Sequence, residues 1–200
     1  MKIEKAIFDL GRVLVKFDPK NLFNKIFKEE KEIDFFFKEI CPWEWHIQQD
    51  LVYDTKPATV ERVKKFPDYK EAIEAFYGRF QEMITGTYDE NIEIALGLKN
   101  KKIPIYILSN FPGDQFDIYK SKNPFIEKFD DMIISGKVNL KKPDKKIYEL
   151  AKEKFNCDPE KTLFIDDRPE NTLSASELGF KTITLHKPEE LKNEIKNFNF

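Results

Sequence analysis

Asp9 follows the apolar stretch Ile3-Glu4-Lys5-Ala6-Ile7-Phe8. Ser109 and Asn110 follow Ile103-Pro104-Ile105-Tyr106-Ile107-Leu108, and the pair Asp166-Asp167 follows Thr162-Leu163-Phe164-Ile165. Taken singly, each has an ordinary reading: an aspartate after a strand serves as a turn or helix cap, and Ser-Asn is a common turn. Lys142, ahead of Pro143, would alone be a solvated lysine. Taken together, they put a carboxylate, a hydroxyl with an amide, and paired carboxylates on one edge of one sheet, where chance would scatter them over both. Carboxylates gathered at one point repel unless a hard cation lies between them. Mg²⁺ held by one or two carboxylates, with waters and a phosphate completing its octahedron, is the usual solution. The same ion lets an anionic phosphate approach an anionic nucleophile. An aspartate can then attack phosphorus and form a phospho-aspartate, dividing one hard displacement into two easier ones. Donors for the phosphoryl oxygens are at hand in the Ser109 hydroxyl, backbone N–H groups beside Gly11 and Asn110, and the point charge of Lys142.

The elements that position these groups alternate in type. Strands are expected over 3–8, 103–108, around 132–134, over 162–165 and over 181–185. Helices are expected over 89–100, from Pro143 onward, and from Pro169 to Leu178, where Gly179 supplies a C-terminal cap. This order predicts an α/β fold, a doubly wound parallel sheet with right-handed crossovers. Its site lies beyond the carboxyl ends of the strands. Between Asp18 and Gly86 the pattern is helical throughout: an apolar stripe over 22–40, a second helix over about 57–66 and a third over 68–84, with Pro42, Pro57, Pro67 and Gly86 between them. The expected organisation is a core of residues 1–17 and 87–200 and an inserted α-helical bundle cap of residues 18–86.

These motifs resemble those of the haloacid dehalogenase-like (HAD) hydrolases, in the branch whose helical cap is inserted after the first motif. Phe8-Asp9-Leu10-Gly11-Arg12-Val13-Leu14 corresponds to the first motif and Ile107-Leu108-Ser109-Asn110 to the second. Lys141-Lys142-Pro143-Asp144 with Ile147-Tyr148 corresponds to the third, and Phe164-Ile165-Asp166-Asp167-Arg168-Pro169-Glu170-Asn171 with Ala175 and Leu178-Gly179 to the fourth. The resemblance implies that Asp9 is nucleophile and Mg²⁺ ligand, that Gly11 offers its carbonyl and Asp167 its carboxylate to the metal, and that Ser109 and Asn110 hold the phosphoryl group. It further implies that Lys142 neutralises nucleophile and phosphate, and that Asp166 and Asn171 orient the metal waters and Lys142.

One departure bears on mechanism. Phosphatases of the family carry a second aspartate two residues after the nucleophile, followed by Gly and Thr, whereas this chain has Gly11, Arg12 and Val13. The missing side chain is the family's general acid and base, and such proton transfer contributes typically 10²–10⁴-fold. The Asp-Leu-Gly-x-Val form is similar to a branch that includes glucose 1-phosphate phosphatases. The expected activity is therefore Mg²⁺-dependent hydrolysis of a small phosphorylated metabolite, a sugar phosphate being favoured. A metal-independent 2-haloacid dehalogenase using Asp9, and a phosphate-binding protein without turnover, are the alternatives. His46 could replace the missing acid if the cap folds over the site, although a packed histidine is the plainer reading. Arg12 could contact substrate or point outward, and Trp43 and Trp45, beside Pro42 in what reads as a loop, could line a pocket wall; Phe35, Phe36 and Phe37 read chiefly as core.

Composition excludes several other classes. With 34 basic and 36 acidic residues the net charge is −2, which argues against a broad nucleic-acid footprint. No apolar run approaches a membrane span. Glu4 and Asp9 interrupt what would be the core of a signal peptide, and a cytoplasmic location is expected. Cys41 and Cys157 form no framework and read as packing residues. The segment from Pro188 to Phe200 reads as a terminal amphipathic helix. Oligomeric state is left open.

Overall fold

The computed structural model describes residues 2–200. Seven strands occur among them: β1 (Lys5–Phe8), β2 (Val15–Phe17), β3 (Ile84–Thr87), β4 (Ile105–Ser109), β5 (Asp131–Ile134), β6 (Thr162–Asp166) and β7 (Lys181–Thr184). Five of them form one sheet in the order β5-β4-β1-β6-β7, every pairing parallel. Phe8 is in register with Ile107 on one side and Ile165 on the other. Asp9, Ser109 and Asp166 therefore leave the sheet side by side. The chain moves outward from β1 through β4 to β5, then returns across β1 to β6 and β7, so the crevice where the winding reverses lies over β1.

Alternation along each strand divides the core in two. Ala6, Phe8, Ile105, Ile107, Leu163 and Ile165 pack with Ile92, Ala95 and Leu98 of the helix Asp89–Asn100 and with Phe116 and Tyr119 of Gly113–Lys122. Ile7, Leu108, Ile133 and Phe164 face the other way, onto Ile147, Tyr148 and Ala151 of Lys145–Lys154 and Ala175 of Pro169–Ser176. Helices thus cover both faces, as a doubly wound sheet requires. No helix among the described residues is long and apolar enough to cross a membrane.

The helical insert carries a separate aromatic core in which Leu22, Phe23, Ile33, Phe36, Ile40, Ile73, Phe76, Phe80 and Met83 are buried. Three expectations for it are corrected. The stripe over 22–40 is not one helix but Lys20–Phe23, Glu30–Phe35 and a π turn over Phe36–Ile40. The break arises because the Glu32 carboxylate accepts from the Lys28 and Glu29 N–H groups at 3.1 and 3.0 Å, starting a new helix. Trp43 and Trp45 lie in a helix, Trp43–Gln49, with Pro42 at its N-terminal boundary rather than in a loop, a common place for proline. The insert is not all helix either: β3 pairs antiparallel with β2, so a two-stranded ribbon joins it to the sheet. Gly86, at φ 140°, supplies backbone that other residues rarely adopt.

A second junction fixes the opposite side of the insert. The Lys141 ammonium donates to the Ile47 carbonyl at 2.9 Å and the Ser135 hydroxyl to the Asp50 carbonyl at 2.5 Å. Gly113 N–H donates to Val52 O at 3.1 Å and Asp114 N–H to Tyr53 O at 2.7 Å. Thr55 bonds the Asp114 carboxylate through its N–H (3.2 Å) and its hydroxyl (2.7 Å), and the Tyr53 hydroxyl donates to Asp117 at 2.8 Å. The C-terminal segment is likewise not one helix. It is a series of short turns over Pro188–Glu190, Leu191–Glu194 and Ile195–Asn197, ending where Ile3 N–H donates to Asn199 O at 2.7 Å. Leu191, Ile195, Phe198 and Phe200 join the apolar cluster beneath the sheet.

Candidate active site

Lys142 is 2% exposed, and its ammonium has three acceptors for its three protons: Asp9 at 2.9 Å, Asp166 at 2.6 Å and the Leu108 carbonyl at 2.8 Å. Asn110 holds the lysine from behind, its amide donating to Lys142 O at 3.0 Å and accepting from Lys142 N–H at 2.9 Å. The Asn110 side chain is committed to the lysine backbone, which leaves its N–H as the group open to a phosphoryl oxygen. Asp166, fully buried, accepts from Arg168 N–H and from the Asn171 amide, each at 2.9 Å. Asn171 therefore acts on Lys142 through Asp166 rather than directly, and the Tyr148 hydroxyl pins its carbonyl at 2.8 Å.

Asp9, Asp166 and Asp167 each present one oxygen, and these oxygens lie within 4.8 Å of one another. Asp167 is more open than Asp166, and its one ion pair among the described residues is with Arg12 at 4.0 Å. Arg12 occupies the left-handed region at φ 58°, its N–H closing a tight turn onto Val15 O at 2.8 Å, with its side chain largely in solvent. The three carboxylates against the one buried ammonium leave about two negative charges uncompensated, and a divalent cation would cancel them. All the donors are hard oxygens, the set that suits Mg²⁺. Burial raises the Asp9 carboxyl, the Lys142 ammonium draws it back, and Asp166 and Asp167 raise it again. Burial works against the Lys142 charge, but the carboxylates of Asp166 and Asp9 outweigh it and hold the ammonium above its ordinary range. The two directions are compatible, because burial and the neighbouring acids act against the charge of Asp9 while the same acids favour the charge of Lys142.

A cavity of about 330 Å³ opens over these groups, with Asp9, Gly11, Ser109, Asn110, Lys142 and Asp167 on its floor. The insert roofs it with Trp43, His46, Ile47, Asp50 and Phe80, beside Phe17 at the end of β2. Trp43 is 41% exposed and stands 4.6 Å, ring to ring, from His46. Trp45 instead packs edge-on to Phe76 at 5.4 Å, and Phe36 is buried, whereas Phe35 points to solvent. His46 reaches the cavity wall, but burial lowers it to about 3 and its Nδ1 lies 2.9 Å from the Tyr77 hydroxyl. It is neutral at physiological pH and has no proton to give there as an imidazolium, in keeping with the plainer reading of a packed histidine over that of a stand-in acid. Asp50 is the wall residue that sequence reasoning missed. It ends the helix Trp43–Gln49, is 8% exposed, and burial pushes its carboxyl up to about 7.

Comparison with known proteins follows the same lines. The family model described as haloacid dehalogenase-like hydrolase matches residues 6–185. A validoxylamine A 7'-phosphate phosphatase of Streptomyces hygroscopicus subsp. limoneus is 23% identical over 93% of this chain and 88% of that protein. An (S)-2-haloacid dehalogenase of a Pseudomonas species is 26% identical over 49% of this chain and 42% of its own length. The chain spans 19% and 47% of the length of the first two curated relatives it matches. In fold it is similar to a HAD family enzyme of Bacteroides thetaiotaomicron, with a TM-score of 0.76, 22% identity, and coverage of 98% of this chain and 99% of that one. That enzyme has also been solved with magnesium and inorganic phosphate, and in that form the TM-score is 0.68 at 23% identity, over 91% and 93% of the two chains. With the motif order, the sheet topology and the family match in agreement, the chain belongs to the haloacid dehalogenase-like hydrolases.

Proposed function

We propose that this protein is a Mg²⁺-dependent phosphatase acting on a small phosphorylated metabolite, a sugar phosphate being the favoured class, through a phospho-aspartate on Asp9. The observation that carries the reading is the clustering of Asp9, Asp166 and Asp167 beside a single buried ammonium. Displacement of halide from carbon needs no metal and gives no reason for three carboxylates at one point, so the cluster favours phosphate over haloacid. Asp9, Asp167 and the Gly11 carbonyl would hold Mg²⁺, which supplies charge neutralisation for an incoming phosphate. Ser109 and the Asn110 N–H would cradle the phosphoryl oxygens. Asp9 attacks phosphorus as the ester P–O bond breaks, and water then cleaves the acyl phosphate to release inorganic phosphate. Trp43 and Phe17 offer flat apolar surfaces to the C–H face of a ring, while Arg12 and Arg168 line the same cavity with donors for hydroxyls. A residue-bounded cap over 18–86 that closes on substrate belongs to this reading.

The test is a panel of phosphorylated metabolites and 2-haloacids, with Mg²⁺ and with EDTA, beside Asp9→Asn. Phosphate release from at least one sugar phosphate, lost with EDTA and with the substitution, is expected. Turnover of haloacids alone, indifferent to chelator, would replace this reading with the dehalogenase. Mg²⁺ and phosphate binding with release no faster than Asp9→Asn would replace it with a binding protein.

A further inference from the structure

Position 11 has room for a side chain: a Cβ built on Gly11 meets nothing within 4 Å, and its backbone lies in the ordinary negative-φ half of conformational space. The place where a phosphatase of this family would keep its proton-transfer carboxyl is thus open space on the cavity floor. The roof of the same cavity holds a carboxyl with no assigned purpose. Asp50 sits at the C-terminal boundary of Trp43–Gln49, and its main chain is fixed to the core by the Ser135 hydroxyl on its carbonyl. Among the described residues its carboxyl has neither a hydrogen bond nor an ion pair, although it lines the cavity with Asp9, Gly11, Lys142 and Asp167.

The Asp50 carboxyl has no oxygen among the fully enclosed polar atoms without a partner, so it opens onto the cavity, where a substrate group could meet it. Charges reach it from both sides: Lys141 and, more weakly, Arg168 and Lys142 favour ionisation, while Asp9 opposes it. Lys141 is already tied to the Ile47 carbonyl at 2.9 Å, so it is an electrostatic neighbour rather than a bonded partner. On its own helix the neighbouring titratable group, His46, is neutral. Burial prevails, and the carboxyl takes and releases its proton near neutral pH, the range in which one group serves efficiently as both acid and base.

Resting on the phosphatase reading above, we propose that Asp50, which lines the cavity from the helical insert, is the general acid and base of the reaction, in the role left vacant at Gly11. In the first half-reaction Asp9 bonds to phosphorus, the ester P–O bond breaks, and the Asp50 proton passes to the departing oxygen. In the second, the Asp50 carboxylate takes a proton from water as the water oxygen attacks phosphorus. The P–O bond to Asp9 breaks, phosphate leaves, and Asp50 is again protonated. The assignment makes the reaction dependent on the insert: without it the site could bind phosphate and metal but would lack its proton relay.

The experiment compares wild type, Asp50→Asn and the double variant Asp50→Asn with Gly11→Asp, all with excess Mg²⁺. Two substrates are used: the metabolite turned over fastest, as a poor leaving group, and p-nitrophenyl phosphate as a good one. Asp50→Asn is expected to lower kcat on the metabolite by 10²–10⁴-fold. With p-nitrophenyl phosphate it should keep a first-turnover burst and then stall, leaving a hydroxylamine-sensitive phosphate on Asp9. Gly11→Asp should restore at least tenfold of the lost rate, which a merely structural role for Asp50 would not allow. Thermal unfolding checks the fold, and if Asp50→Asn does not fold, Asp50→Glu carries the test, with kcat falling while KM holds. Rates for Asp50→Asn within threefold of wild type on both substrates overturn the assignment and leave the phosphatase reading standing. A wild type inactive on every phosphomonoester overturns that reading first, and the assignment with it.

Discussion

Replacing Lys142 by methionine keeps most of the side-chain volume and removes the single cation buried among Asp9, Asp166 and the Leu108 carbonyl. Breaking a buried ion pair by deleting one partner costs about 3–5 kcal/mol, because the other partner is left charged in a poor solvent. Two carboxylates are stranded here, so the upper end of that range is expected in EDTA at pH 8. Asp9, already raised by burial, would rise further without its partner, and a carboxyl with a raised folded-state value binds more protons folded than unfolded. Stability of the variant is then present at low pH and lost as pH rises through that value, so its deficit against wild type should shrink by several-fold between pH 8 and pH 5. Mg²⁺ binds the folded state alone and returns about 2.7 kcal/mol at a hundred times its Kd. Urea unfolding measured at both pH values, with EDTA and with Mg²⁺, reads all of this as midpoint shifts, about 0.5 M for each kcal/mol at a slope near 2 kcal/mol per M. A deficit under about 1 kcal/mol, the same at both pH values, would refute the picture of an ammonium holding mutually repelling carboxylates.

Three further outcomes follow from other parts of the molecule. His46, lowered to about 3 from an ordinary 6.5, is charged only after unfolding over that interval; stability should therefore fall by about 1.4 kcal/mol per pH unit as pH drops from 6.5 toward 3, and His46→Phe should lose that slope in acid unfolding curves, whatever constant offset it adds. Trp43→Ala removes a half-exposed wall of the cavity, so KM should rise about tenfold, corresponding to about 1.4 kcal/mol of lost contact, with kcat and thermal midpoint little changed in steady-state and calorimetric measurements. At Gly136 an added methyl would stand 2.5 Å from both Gly113 N and Val52 O and 2.8 Å from Phe111 O, all backbone atoms; Gly136→Ala should cost about 1–3 kcal/mol and lower the melting temperature by several degrees.

The strand exits could be read in sequence because each apolar run ends abruptly on a polar group, and because Ala6, Ile7 and Phe8 alternate faces as a buried parallel strand must. Asp9, Ser109, Asp166 and Asp167 stand out that way, Lys142, which follows no strand, through the third motif instead, and the structure brings them together. Asp50 gave no such signal. It lies in Gln48-Gln49-Asp50-Leu51, an unremarkable helix end, and its burial comes from the insert meeting the core, a contact between segments some 85 residues apart in the chain for the Ser135–Asp50 bond. The ribbon of β2 and β3 escaped for a similar reason: strands of three and four residues have too little length for period-2 alternation to show. The break after Phe23 depends on Glu32 folding back onto two N–H groups, which hydrophobic spacing does not record. Nothing in sequence marks the bonds of the Asn110 side chain to the main chain of Lys142, 32 residues away.

The seven hydrogen bonds that join 47–55 to Lys141, Ser135, Gly113, Asp114 and Asp117 form one clasp. At about 0.5–1.5 kcal/mol each, they are worth about 4–10 kcal/mol if they part together, which leaves the unclasped form at about one molecule in a thousand or fewer. That side of the chamber is thus held shut in nearly every molecule, and the ribbon of β2 and β3 is the other connection of the insert to the sheet. If the cap movement proposed above parts this clasp, quick chemistry and slow turnover would go together, the pace set by how often seven small contacts let go at once.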